Sequence, residues 1–515
     1  MQRYCLAAAV LAAAGVLAPA PASANSTQVL IAHGLVTQAQ GQGADLFFRE
    51  TFQGNGRTCG TCHPVDNNQT IEPAFIATLP SSDPLFIAEK PANQGGVPGL
   101  EIPVLMRQFG LILENVDGLQ NPTVKFVMRG VPHSLSLATS ITATAGFPQP
   151  QATGWSGDGS PNGTLLQFSA GAVTQHFTKT LARTTGDFRP PTATELQNMQ
   201  AFMLAVGRTN ELTLTSVSLT NAGADVGRRI FLNTGTDTTV GVGRCNNCHL
   251  NAGANRAFGG GGNGNFDTGV EEVPHPGRAV QSFPFDGGLG QQLNNEGTFG
   301  DGTFNSVGLV EAADTAPFFH NNVIDTVENA VAFYSSQFFN QSPAAAAGTI
   351  NLTTTQSNQV AAFLRVVNAS FNLAISLQRN NAAASLENSS NNGCGGGGGG
   401  DVASFALDGG GGECTDSIDG GFDDIEGKRE TVDTLLLLAN VEGADAIEVL
   451  TARSLHSSAV TLIQSAISKN NQAIASNSSN QRLLLIQSAA ADFSQAKAQF
   501  GSNLNFTMGK GNLLF

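Results

Sequence analysis

RTCGTCHP, from Arg57 to Pro64, and RCNNCHL, from Arg244 to Leu250, decide how this chain is read. Each contains C-x-x-C-H, with thiols at Cys59 and Cys62 or at Cys245 and Cys248, and imidazoles at His63 or His249. This is the attachment signature of a c-type haem. The two thiols add to the haem vinyl groups, and the adjoining imidazole reaches the iron. A thiol redox pair or half of a zinc site would use the same cysteines. Two complete copies, each with its His, in a chain that reads as exported favour two covalently bound haem c groups.

Export is read from the start, MQRYCLAAAVLAAAGVLAPAPASANS. Arg3, an apolar run from Leu6 to Leu17, and the small residues Ala22 and Ala24 predict a secretory signal over 1–24. No later stretch reaches about 18 consecutive apolar residues, so no membrane span is expected. The compartment is then oxidising, periplasmic or secreted to the cell surface. There Cys394 and Cys414, which have no following His and bracket a glycine tract, predict a disulfide.

At roughly 150 residues per domain, 515 residues allow about three domains. Hydrophobic residues at 41% against charged residues at 13% exclude a wholly disordered polymer, while 60 Gly and 21 Pro predict long loops. The net charge of −15 argues against nucleic acid or an anionic membrane surface as partner.

One motif lies in each half, which predicts a mainly α chain with one cytochrome-c-like haem domain over 25–208 and another over 209–387. In the first, Thr192 and Glu195 form a capping box ahead of the stripe Leu196, Met199, Phe202, Met203 and Val206. In the second, helical sequence begins near Asn221. Asp325 is expected as N-cap, with Glu328 three positions on, ahead of Val327, Ala330, Val331, Tyr334 and Phe338 on one face. A Gly- and acid-rich linker over 388–430 precedes a helical extension over 431–515. GGGGNG, Gly259 to Gly264, fits a phosphate loop only loosely and follows no strand signal.

The remaining chemistry depends on each iron's second ligand: a closed haem transfers electrons, an open one binds peroxide or dioxygen. No Met lies between Cys245 and the end of the second domain, so the candidates there are Tyr334, His275 and His320. For the first haem they are His133, His176, Met106 and Met128, or nothing, while Met199 and Met203 read as core. His176 could serve as distal acid or base toward peroxide. Trp155, the single Trp, lies in the polar turn TGWSGDGSP and could relay electrons between the irons.

These stretches resemble the bacterial di-haem cytochrome c peroxidases and the related MauG-type enzymes over roughly 41–377. The resemblance rests on GADLFFRETFQGNGRTCGTCH, MRGVPHSLSLA, GWSGDGS, GRRIF, RCNNCH and, above all, TAPFFHNNVIDTVENAVAFY from Thr315 to Tyr334. It implies two cytochrome-c-like domains coupled through a Trp, which Trp155 matches. It also implies Tyr334 as distal ligand, as in MauG-like members. An inter-domain calcium is frequent in the family, bound partly by carbonyls of the segment matching Thr315 to Pro317, but no matching Asn precedes Val131 and Pro132. The family's distal carboxylate has no counterpart at His176, Phe177 and Thr178. The resemblance implies hydrogen peroxide as substrate and a small redox protein or an organic molecule as electron donor. A dioxygen-using di-haem oxygenase and a plain electron-transfer cytochrome are the rival readings.

Overall fold

A computed structural model describes residues 24–115, 126–140, 164–233, 243–258, 262–288, 302–393 and 425–515. Trp155, Cys394, Cys414 and residues 1–23 of the expected signal lie outside the described residues.

The chain is mainly α, as the sequence predicts. Helix α1 spans Ala24–Ala32. Three helices then open alike: α2 (Gln38–Phe48) on Thr37, α3 (Leu165–His176) on Thr164 and α4 (Ala193–Met203) on Thr192. In each, the threonine side chain accepts the N–H three residues on, and Gln40, Gln167 or Glu195 reaches back to the cap N–H. Asn221 caps α5 (Ala222–Leu232).

Helix α6 (Val327–Phe333) corrects two expectations. Its N-cap is Thr326, whose side chain accepts from the Asn329 N–H, not Asp325. The helix also stops at Tyr334, and Ser336 caps a new turn, Gln337–Asn340, so Phe333 and Phe339 are buried instead of Phe338. Two serine side chains intercept the backbone here: Ser336 caps Phe339 N–H and Ser335 Oγ accepts from Leu352 N–H at 2.8 Å.

Among the described residues the strands form short two-stranded antiparallel sheets, with a few isolated bridges beside them. Strand β1 (Leu111–Glu114) pairs with β2 (Val127–Gly130), placing Glu114 opposite Val127.

Helices α7 (Thr354–Gly393), α8 (Ile425–Thr451), α9 (Ser457–Ala475) and α10 (Ser479–Ala498) form a bundle. The helices thus run past both expected linker boundaries, 388 and 430. Deeper in the bundle, packing overrides the weak helix propensity of Asn. Asn380 donates to Asn470 at 2.8 Å, and Asn470 donates to Asn440 at 2.9 Å, all three fully buried. The helical sequence after the linker packs on the rest of the chain. One core cluster joins Phe47 and Phe202 of the first half, Phe231 and Phe363 of the second, and Leu435, Ile463 and Phe493 of the bundle. Helix α7 is long and apolar enough to cross a membrane, yet 83% of its apolar window is buried inside the molecule, as in a core helix.

Candidate functional site

At the first motif, Cys59–Thr61 forms a 3-10 turn, and the His63 N–H bonds to the Cys59 carbonyl at 3.0 Å. Asn68 and Gln69 both take left-handed backbone conformations, a turn that returns the Gln69 carbonyl to His63 Nδ1 at 2.7 Å. That bond makes Nδ1 the donor and leaves Nε2 as the basic nitrogen, the arrangement of a metal-ligating imidazole. Burial pushes the His63 pKa down, which keeps the ring neutral.

The second motif repeats the logic on unrelated partners. Cys245–Cys248 is one helical turn, and His249 Nδ1 donates to the Val307 carbonyl at 3.0 Å. Burial again depresses the ring's pKa. All four thiols are unpaired. Burial, chiefly, pushes Cys59, Cys62 and Cys245 up to about 12 and Cys248 to about 11. A thiol redox pair needs a stabilised thiolate, so these environments suit covalent attachment through the sulfurs better than thiol exchange. Both motifs can hold haem c.

Residues 66–115, to which the sequence assigns no role, build one wall of the first site. Arg57, buried beside the motif, donates to Glu101 Oε1 and to the Leu85 carbonyl, both at 2.8 Å. Glu101 Oε2 in turn accepts from Leu113 N–H at 2.7 Å. This chain of bonds anchors β1, and β1 carries Glu114 to His176. Their Oε1 and Nε2 stand 3.4 Å apart. Gln175 donates to Glu114 Oε2 at 2.9 Å. Burial works to raise the Glu114 carboxyl, but His176, Arg129 and Gln175 outweigh it and hold its pKa below the ordinary range.

His176 ends α3 and is tied to the first motif from behind. Asn55 donates from its side chain to the His176 and Thr178 carbonyls, each at 2.9 Å, and from its backbone to Phe177 at 2.8 Å. Gly54 permits this approach, since a Cβ there would lie 2.1 Å from the Phe177 carbonyl. The charge of His176 acts on His63, and that of Glu114 on Cys62. A carboxylate therefore does stand beside His176. The sequence hid it because Glu114 comes from the end of β1, far along the chain from His176.

The other candidates separate cleanly. Met106 is fully buried among Ile71, Phe86 and Ile112, in a cluster that packs against Cys62. Met128 packs elsewhere, with Leu113 and Phe283. Met199 is core, as expected, beside Phe52 and Phe177, and Met203 accepts a hydrogen bond from Ser169.

Of the candidates for the second haem, His275 packs against Phe109 and Phe283, accepts from Gly277 N–H at 2.9 Å and donates through Nε2 to the Asn321 carbonyl at 2.8 Å, so both nitrogens are engaged. His320 bonds Glu271 at 2.8 Å and stacks on Phe304. Tyr334 differs. Burial raises its pKa, with the Cys248 and Cys245 thiols adding to the effect, so the phenol stands close to the second motif. Phe339, at 5.0 Å between ring centroids, and Phe333, at 5.3 Å, hold its ring edge-on.

No protein-family model matches the chain, and no curated protein matches it in sequence.

Proposed function

We propose that the chain is an exported di-haem c oxidoreductase of the peroxidase type, reducing hydrogen peroxide with electrons from a small redox protein or an organic donor. The reading is supported first by the Glu114–His176 pair beside the first CxxCH motif, an acid–base couple for which an electron carrier has no use. Cys59, Cys62 and His63 would hold one haem, and Cys245, Cys248 and His249 would hold the other, to which the nearby Tyr334 would offer its oxygen. Haem iron supplies the site at which peroxide binds and its O–O bond is reduced. The residues move the proton. Glu114, kept ionised by its neighbours, would take the peroxide proton and pass it across the 3.4 Å contact to His176 Nε2, which would return the same proton to the departing oxygen. Gln175 fixes the carboxylate and keeps Oε1 turned to His176. Trp155 relays electrons between the haems in this scheme, and the export signal read from the sequence makes the protein periplasmic or extracellular in the same reading.

The test is peroxide turnover by the Glu114→Gln variant loaded with both haems. The isostere keeps the Gln175 contact but cannot take a proton, so kcat should fall about 100-fold or more. Undiminished turnover would remove Glu114 from the mechanism.

A further inference from the structure

Between the two CxxCH loops lies a buried polar cluster that the scheme above leaves unused. Arg208, with no solvent exposure, donates from Nε to Glu311 Oε1 and from Nη1 to Glu211 Oε2, both at 2.7 Å. Four polar atoms of this cluster are buried and make no hydrogen bond: Arg208 Nη2, Glu311 Oε2, Glu211 Oε1 and His133 Nδ1. Orphans gathered this densely mark a site for ordered water, which makes about three hydrogen bonds per molecule to such groups.

The cluster reaches both motifs. The charge of His133 acts on His63, and Gly308, whose backbone faces His133, adjoins Val307, the residue that orients His249. Glu211 lies against the loop that follows His249, where a Cβ on Gly253 would come 2.3 Å from Glu211 Oε1. The charged and titratable groups facing Glu211 are Arg208 and Glu311, and those facing His133 are Glu311, Arg208 and His63.

With one guanidinium and two carboxylates the cluster carries a net charge of about −1 in a desolvated setting, which a single proton neutralises. Glu211 is the member with a route to water, its side chain 23% exposed, while Glu311 has none.

We propose that Glu211 is a proton-uptake site coupled to haem reduction: when a one-electron reductant delivers an electron to either iron, one solvent proton binds the Glu211 carboxylate. The electron and the proton then enter together, and the buried charge between the loops stays constant. Burial already raises the Glu211 carboxyl toward that role.

The inference rests on the di-haem reading, and its test separates the two. Haem midpoint potentials are titrated spectroelectrochemically from pH 5 to 8, with dithionite and mediators, in the wild type, Glu211→Gln and Glu311→Gln. Both variants remove the net negative charge, and one folded variant is enough. The wild-type potential should fall as pH rises, and the slope should shrink by at least half in the variants. A flat wild-type profile, or a variant slope more than half that of the wild type, overturns the proposal alone. A chain purified without two covalent haems overturns the di-haem reading, and the proposal with it.

Discussion

Tyr334 is held by rings and not by its own oxygen. Phe333, Phe339 and Phe319 surround it, and its hydroxyl makes no hydrogen bond among the described residues. Replacing it with Phe keeps that packing, so stability should change by less than about 1 kcal/mol. As a ligand its anionic oxygen favours ferric iron, so the midpoint potential of the second haem should rise in Tyr334→Phe. An unchanged potential would remove Tyr334 from the iron. At this scale the sequence shows what is local: both C-x-x-C-H motifs, and Tyr334 on its helical stripe. It hides Glu114, which ends an ordinary apolar run, LILE, and meets His176 only in the folded chain, where the Arg57–Glu101–Leu113 bonds anchor β1. It hides equally the carbonyls of Gln69 and Val307, because any residue can supply one.

Helix α6, which positions Tyr334, is fixed at its first turn by charge. Glu328 accepts from Arg365 at 2.9 Å and from Arg453 at 2.9 Å, tying α6 to α7 and to the end of α8. Burial works to raise the Glu328 carboxyl, but the two guanidiniums outweigh it and lower the pKa from 4.5 to about 2. A depressed carboxylate contributes stability that is complete above its unfolded value and lost as pH falls through its folded one. The Glu328 contribution should therefore be full above about pH 4.5 and gone below about 2. Glu328→Gln should cost about 2 kcal/mol at neutral pH and flatten that part of the acid-unfolding profile. A denaturant titration at pH 7 and at pH 3 checks both, and equal losses at the two values would contradict the assignment. The sequence marks Glu328 correctly as a first-turn acid, but not its partners, which lie 37 and 125 residues away.

For the molecule as a whole, the bundle and the chain after it lock the junction of the two halves. Residues beyond α10 return to the connector around 205–210: Gly509 N–H bonds to Gly207, Gly511 N–H to Ala205, and Thr209 N–H to Thr507. Asn512 closes the contact, accepting from Gly207 N–H at 2.6 Å and donating to the Gly207 carbonyl at 3.0 Å. Asn512→Ala leaves the buried Gly207 N–H without its partner, while the Gly207 carbonyl keeps the Gly509 N–H, so it should cost about 1–3 kcal/mol in thermal or denaturant unfolding. A loss below about 0.5 kcal/mol would show the contact to be incidental. None of this is legible in a sequence pattern, because the bonds are made by backbone atoms and by one Asn among many.

In the proposed peroxidase one haem would be open to peroxide and the other closed by Tyr334. Electron paramagnetic resonance of the ferric holoprotein, before and after hydrogen peroxide, tests it most directly. A high-spin signal that peroxide consumes is the predicted result; two low-spin signals indifferent to peroxide, in resting and half-reduced protein alike, would make the chain an electron carrier and contradict the account.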